Sequence, residues 1–255
     1  MITHRARAAL LAASLLLTGC GGGAAASSGQ RATTPPGPAS TASPSAPGLP
    51  APAVSAQSDL KQIPGLGPRT AAAVPATARQ VVVVTGRGRA SPLSQVVLYR
   101  RTGTGWQAGT VWPAHNALRG WTDHHMAGDL RSPIGVYGLT DAGGRLRDPG
   151  TRLPYDQSSG GFDSPGTGFE GEPLAGSFDY VVAINYNREP GTSPLDWTRP
   201  LGAKRGGGIW IHVDHGGPTH GCVSIAERHM KELLLALDPA LHPVVVMGDH
   251  ASLAR

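Results

Sequence analysis

Ile209-Trp210-Ile211-His212-Val213-Asp214-His215-Gly216-Gly217-Pro218-Thr219-His220-Gly221-Cys222-Val223-Ser224 is the stretch on which the reading of this chain turns. Its first part alternates as a strand does. Ile209, Ile211 and Val213 share one face, and Trp210 and His212 share the other. The aliphatic face seeks the core, so His212 points the opposite way, beside Trp210. Gly216, Gly217 and Pro218 then turn the chain. Cys222 follows, framed by Gly221 and Val223.

A strand histidine is ordinarily unremarkable; a turn that brings a cysteine back toward it changes its meaning. A thiol has a reference pKa of ~8.5, and the thiolate is the nucleophile. An imidazole within reach can take the thiol proton and assist attack on a carbonyl. Gly221 permits tight backbone geometry. The N–H groups of His220, Gly221 and Cys222 would then face a developing oxyanion, where one donor is worth ~2.7–4 kcal/mol. Cys222 is therefore read as a nucleophile and His212 as its base. His215 is the alternative base, but it lies in the turn and not on the strand.

Outward from this stretch, the C-terminal side is regular. Ser224-Ile225-Ala226-Glu227 fits a capping box. Met230, Leu233, Leu234 and Leu237 recur as one helix face, read as core packing, and Asp238-Pro239 ends the helix. Val244 to Met247 is a closing strand. Upstream, strands are expected at Gln80–Thr85, Gln95–Arg100, Trp106–Trp112, Pro133–Leu139 and Asp179–Asn185. Residues 143–176 are rich in Gly, Pro, Ser and Asp and are expected as a long loop that walls the substrate. The chain's 36 glycines and 23 prolines among 255 residues agree with a mainly β fold, closed by one C-terminal amphipathic helix.

The N-terminus reads as an export signal over 1–19. Arg5 and Arg7 precede a short apolar run from Ala8 to Leu17, too short to span ~30 Å of hydrocarbon. Leu17-Thr18-Gly19-Cys20 resembles a bacterial lipobox, which implies lipid on Cys20. An ordinary signal peptide with a chance cysteine is the alternative. The chain holds two cysteines. With Cys20 lipidated, Cys222 has no partner, and an odd cysteine in an exported protein suggests a reactive thiol or intermolecular pairing. The competing view is a buried inert cysteine; Gly221 and the glycine-proline turn count against it. Residues 20–57 are Ala, Ser, Gly, Thr and Pro, a composition that cannot bury enough surface to fold and reads as a tether. Residues 58–78 form a short helical lead-in. There Ile63-Pro64-Gly65-Leu66-Gly67-Pro68-Arg69-Thr70-Ala71-Ala72 is similar to a helix-hairpin-helix DNA-binding turn. Its single occurrence, low charge and exported setting argue for packing at the domain edge instead. The formal charge is +5, two units of which are Arg5 and Arg7. That is too little for nucleic acid binding.

Thr219-His220-Gly221-Cys222-Val223-Ser224, with His212 upstream, resembles the signature of the L,D-transpeptidase (YkuD-like) catalytic domain. Arg131-Ser132-Pro133-Ile134-Gly135-Val136-Tyr137 is similar to a second strand of that family. The resemblance implies a single β-sandwich or barrel domain over 79–255. Cys222 would be the nucleophile and His212 the general base and acid. The Val213 carbonyl would orient the imidazole, and Gly221, His220 and Thr219 match the motif around the cysteine. Trp210 is a candidate substrate contact. The implied reaction is acyl transfer on peptidoglycan stem tetrapeptides by a monomer without cofactor or metal, anchored by lipid to the outer face of the cell membrane. An L,D-carboxypeptidase using the same acyl-enzyme, or a non-catalytic wall-binding lipoprotein, are the other outcomes. The interval of ten residues from His212 to Cys222 is shorter than in many members, so the loop between them must be small. A zinc site on His212, His215, His220 and Cys222 is the rival chemistry; its spacing matches no common zinc pattern. His124 and His125 are expected in a solvated loop.

Overall fold

The computed structural model describes residues 59–255. The expected export signal, Cys20 and the tether lie outside the described residues. In chain order the elements are α1 (Pro68–Ala73), β1 (Gln80–Gly86), β2 (Leu93–Arg101), β3 (Trp106–His115), β4 (Trp121–Thr122), β5 (Ser132–Pro133), β6 (Gly135–Gly138), β7 (Ala142–Gly144), β8 (Tyr155–Gln157), β9 (Val181–Ala183), β10 (Trp210–Val213), β11 (Val223–Ile225), α2 (Glu227–Ala236), β12 (Val244–Asp249) and α3 (His250–Leu253). The fold is mainly β, as expected.

Ten strands make one curled sheet in the order β6-β12-β1-β2-β3-β11-β10-β9-β7-β8. The β-branched run of β1 sits inside it, parallel to β12 and antiparallel to β2. Its two faces go to two cores. Val82 and Val84 join a large cluster with Leu98, Trp112, Val182, Ile211, Val223 and Met247. Val81 and Val83 join a second cluster with Ile63, Trp106 and Leu253. Strands from both ends of the sheet feed the large cluster, so the sheet wraps around it.

Helix α2 fills the wrap. Met230, Leu233, Leu234 and Leu237 are fully buried, as their spacing predicts. Burying each such side chain stabilises by roughly 1.5–3 kcal/mol. The expected capping box is corrected. Ser224 belongs to β11, level with His212, and its hydroxyl donates to Asp214 Oδ1 at 2.7 Å. The residue preceding the helix is Ala226, with no side-chain cap, and Glu227 pairs instead with Lys231 at 2.6 Å. The ladder and a carboxylate acceptor outcompete the local cap.

The strand expected over Pro133–Leu139 is split. Ser132 and Pro133 pair with Trp121 and Thr122 in a separate two-stranded ribbon, and Gly135–Gly138 pairs with β12. Residues 143–176 are not wholly loop, since β7 overlaps their start, β8 lies within them, and the two strands pair in parallel. The lead-in packs on the sheet. Leu60 and Trp106 exchange backbone bonds at 2.9 and 2.8 Å. The amides of Gly67, Arg69 and Thr70 donate to the carbonyls of Leu253 and Arg255 at 2.9–3.1 Å. Amides that a DNA-binding turn would offer to phosphate are thus spent inside the domain. Any Cβ at Gly67 would run into the Ala254 carbonyl.

Candidate active site

β10 and β11 run parallel, with Ile211 level with Val223, His212 with Ser224 and Val213 with Ile225. One step back, Cys222 lies beside Trp210, whose N–H donates to Sγ at 3.4 Å. Level residues on adjacent strands point the same way, and the pattern alternates along each strand. Ile211, Val223 and Ile225 enter the large core, whereas Trp210 and Cys222 join a small cluster with Phe162, Val181 and Phe178. His212 therefore shares its face with Cys222.

A parallel return ordinarily needs a crossover of a dozen residues or more; here the segment 214–222 suffices because both ends of its second half are pinned. Thr219 N–H donates to the Asn116 carbonyl at 3.1 Å, and its hydroxyl donates to the Cys222 carbonyl at 2.7 Å. Ser132 Oγ also donates to that carbonyl, at 3.4 Å. Thr219 and Ser132 thus hold the cysteine elbow from two sides. The amides of His220, Gly221 and Cys222 donate to no backbone acceptor among the described residues.

The two titratable groups are both desolvated. His212 is 3% exposed, and burial lowers its pKa to about 4. Its Nδ1 lies 2.9 Å from the Val213 carbonyl. Only a donor can face a carbonyl, so the neutral ring carries its proton on Nδ1 and its lone pair on Nε2. Burial raises the Cys222 thiol to about 11, with the Trp210 amide pulling the other way. The thiol donates toward the Gly208 carbonyl at 3.5 Å. At neutral pH Cys222 therefore rests as the thiol and His212 as the neutral imidazole.

His215 stacks on His212, with centroids 5.8 Å apart and planes within 10°. Its Nδ1 is engaged by Glu172 Oε1 at 3.1 Å. The 143–176 segment reaches the site through that glutamate and through Phe169, which packs on His220 at 4.6 Å. Trp210 is buried between Phe162 and Phe178, so its ring forms a wall behind the sulfur and its backbone supplies the contact to it. Among the described residues no group of three or more His, Cys, Asp or Glu could hold a metal ion.

Four features escaped the sequence reading. Asp214 Oδ1 binds His115 Nδ1 at 2.8 Å as well as the Ser224 hydroxyl. That hydrogen bond raises the pKa of His115. His115 and Asp214 line a cavity of about 540 Å³ with Arg87 and His250. His125 is corrected from the solvated loop: it is 5% exposed, edge-on to Tyr186, with Nδ1 3.1 Å from Asp129. It lines a second cavity of about 420 Å³ with Trp197, Arg199 and Cys222. No local pattern marks these residues, because β3, the 123–131 segment and the 188–208 segment meet the cysteine only through the fold.

Among curated proteins, none matches this chain. Several solved structures are similar to it, Bd1075 and Pgp2 among them. Bd1075 of Bdellovibrio bacteriovorus is 19% identical with a TM-score of 0.37, over 68% of this chain and 49% of that one. The helical cell shape determining protein Pgp2 from Campylobacter jejuni is 16% identical with a TM-score of 0.38, over 67% and 47%. The chain thus spans about half the length of either. The YkuD family model, the L,D-transpeptidase catalytic domain, matches residues 77–246, and the chain belongs to that family.

Proposed function

We propose that the chain is a peptidoglycan L,D-transpeptidase acting through a cysteine acyl-enzyme. The observation that carries the proposal is the parallel register of β10 and β11, which sets Cys222 and His212 on one face while Val213 occupies Nδ1. The Nε2 lone pair is left for the thiol proton. Thiol and imidazole differ by several powers of ten in acidity, so a preformed ion pair is negligible. The proton moves as Sγ attacks, turning from the Gly208 carbonyl to His212 Nε2.

The carbonyl attacked joins the L-centre of meso-diaminopimelate to the terminal D-alanine of a stem tetrapeptide. Sγ forms a bond to its carbon, and the oxyanion meets the unspent amides of His220, Gly221 and Cys222. The His212 imidazolium protonates the departing D-alanine amine as the C–N bond breaks. The side-chain amine of a second stem then attacks the thioester, gives its proton to His212, and expels the thiol. The product is a 3→3 cross-link. The enzyme works as a monomer without cofactor, held by lipid on Cys20 to the outer face of the cell membrane. Water as acceptor would make the same acyl-enzyme a carboxypeptidase, and a tripeptide product distinguishes that outcome from a cross-linked dimer.

The test is mass spectrometry of the chain after incubation with a carbapenem, a class that acylates this family's thiolate. One adduct is expected, on Cys222. It disappears in Cys222→Ala and forms at least a hundredfold more slowly in His212→Ala. Unchanged adduct yield in Cys222→Ala would end the proposal.

A further inference from the structure

The cavity of about 420 Å³ that opens beside Cys222 is lined by arginine and histidine and by no aspartate or glutamate. Arg199 is its fixed cation. Nη1 donates to the carbonyls of Asp196 and Thr198 at 3.0 and 2.9 Å, and the guanidinium lies 4.7 Å from the ring centre of Trp197. Nε and Nη2 make no hydrogen bond, and Arg199 forms no ion pair, among the described residues. The nearest carboxylate on its own segment, Asp196, is turned to the Thr198 amide at 2.7 Å. Arg188 on the same segment shows the alternative, with Nη1 2.8 Å from Asp141 Oδ2 and both groups buried. One arginine is neutralised by the protein and the other is left open.

The backbone is built to bring Arg199 to the sulfur. Gly206, Gly207 and Gly208 all have positive φ, and a Cβ on Gly207 would collide with Arg199 Nε. Arg199 Nη2 lies 3.8 Å from where a Cβ on Gly208 would stand, and the Gly208 carbonyl is the acceptor for the Cys222 thiol. Burial already pulls the guanidinium pKa down. The guanidinium is partly buried and Asp196 acts on it only at a distance, so an anionic ligand in direct contact strengthens its charged form. A planar guanidinium fork with two unspent donors matches a carboxylate.

We propose that Arg199 is a specificity-determining residue that binds a free carboxylate of the acyl donor in the cavity beside Cys222, with Trp197 as the outer wall. Trp197 is 75% exposed and stands ready to cover the bound group. The carboxylate belongs either to the C-terminus of the departing residue or to the D-centre of the acylated one. The proposal rests on Cys222 being the nucleophile.

Two alkylating reagents of the same chemistry separate these claims. Iodoacetamide is neutral and iodoacetate carries a carboxylate; each forms a bond from Sγ to its methylene carbon and expels iodide, the thiol proton passing to buffer. In the full chain, the iodoacetate-to-iodoacetamide rate ratio at Cys222 should exceed that of free cysteine about tenfold. Arg199→Gln should return the ratio to that of free cysteine, with the iodoacetamide rate of the same variant as its reference. Arg199→Lys should keep part of it. Lys204→Gln, which removes one charge from the same segment outside the cavity lining, should keep all of it. With tetrapeptide donors, Arg199→Gln should raise KM about tenfold. Amidating the responsible carboxylate, at the C-terminus or at the D-centre, should produce the same rise in the unsubstituted chain. An unchanged ratio in Arg199→Gln, or donors insensitive to both amidations, overturns the carboxylate site alone. No labelling by either reagent overturns the nucleophile, and the carboxylate site with it.

Discussion

Desolvation governs chemistry at the single-residue scale. With the thiol at about 11 and the imidazole at about 4, Cys222 should show no acid-side plateau of reactivity. Its alkylation rate by iodoacetamide should climb from pH 7 toward pH 10 along one rising limb. A plateau between pH 5 and 8 would reveal a preformed ion pair and contradict this account. The same burial makes His212 an acid-sensitive element. Its folded pKa lies below the usual 6.5, so the unfolded chain binds more protons between the two values. Its contribution is present above about pH 6.5 and is lost as pH falls through 4. The loss is on the order of 3 kcal/mol. His115, raised by Asp214, has the opposite sign and remains favourable throughout that window. Urea melts at pH 7 and pH 4 should show the loss, and His212→Gln should flatten it.

Strand pairing governs what a helix or strand can do with the residues it carries. Ser224 has the sequence of a cap but the position of a ladder residue, because His212 and His115 flank it on the neighbouring strands. Its hydroxyl joins Asp214 to those strands instead of starting α2. The helix must then hold by its apolar face. Leu234 is fully buried in the large core, and Leu234→Ala should destabilise the domain by about 2–5 kcal/mol. Equilibrium urea unfolding measures it. Leu235, one residue on, is exposed, so Leu235→Ala should change stability by under about 0.5 kcal/mol. Similar losses for both would mean that the helix does not face the core as described.

Residues 59–255 form a sheet curled around one large core, with smaller clusters beside it. The second cluster draws Ile63 from the lead-in to pack with Val81, Val83, Val246 and Leu253. A chain beginning at Arg79 should therefore melt at least several degrees below one beginning at Asp59. Equal melting temperatures would mean that the lead-in only rests on the domain. The mainly β class, the strand cores and the apolar helix face were all legible in the sequence, and the placing of His212 and Cys222 on one strand face was expected from it. Each is written in a local period, two for strands and 3.6 for the helix, or in a short contiguous motif. The split at Ile134, the role of Ser224, the Asp214–His115 pair, the burial of His125 and the approach of Arg199 to the thiol were decided only by the tertiary structure. They depend on contacts between segments distant in sequence, and neither side-chain period nor residue spacing carries information about which strand a folding sheet will lay beside another. The acidity of His212 and Cys222 belongs with them, because it is set by how much water the assembled sheet and its loops exclude.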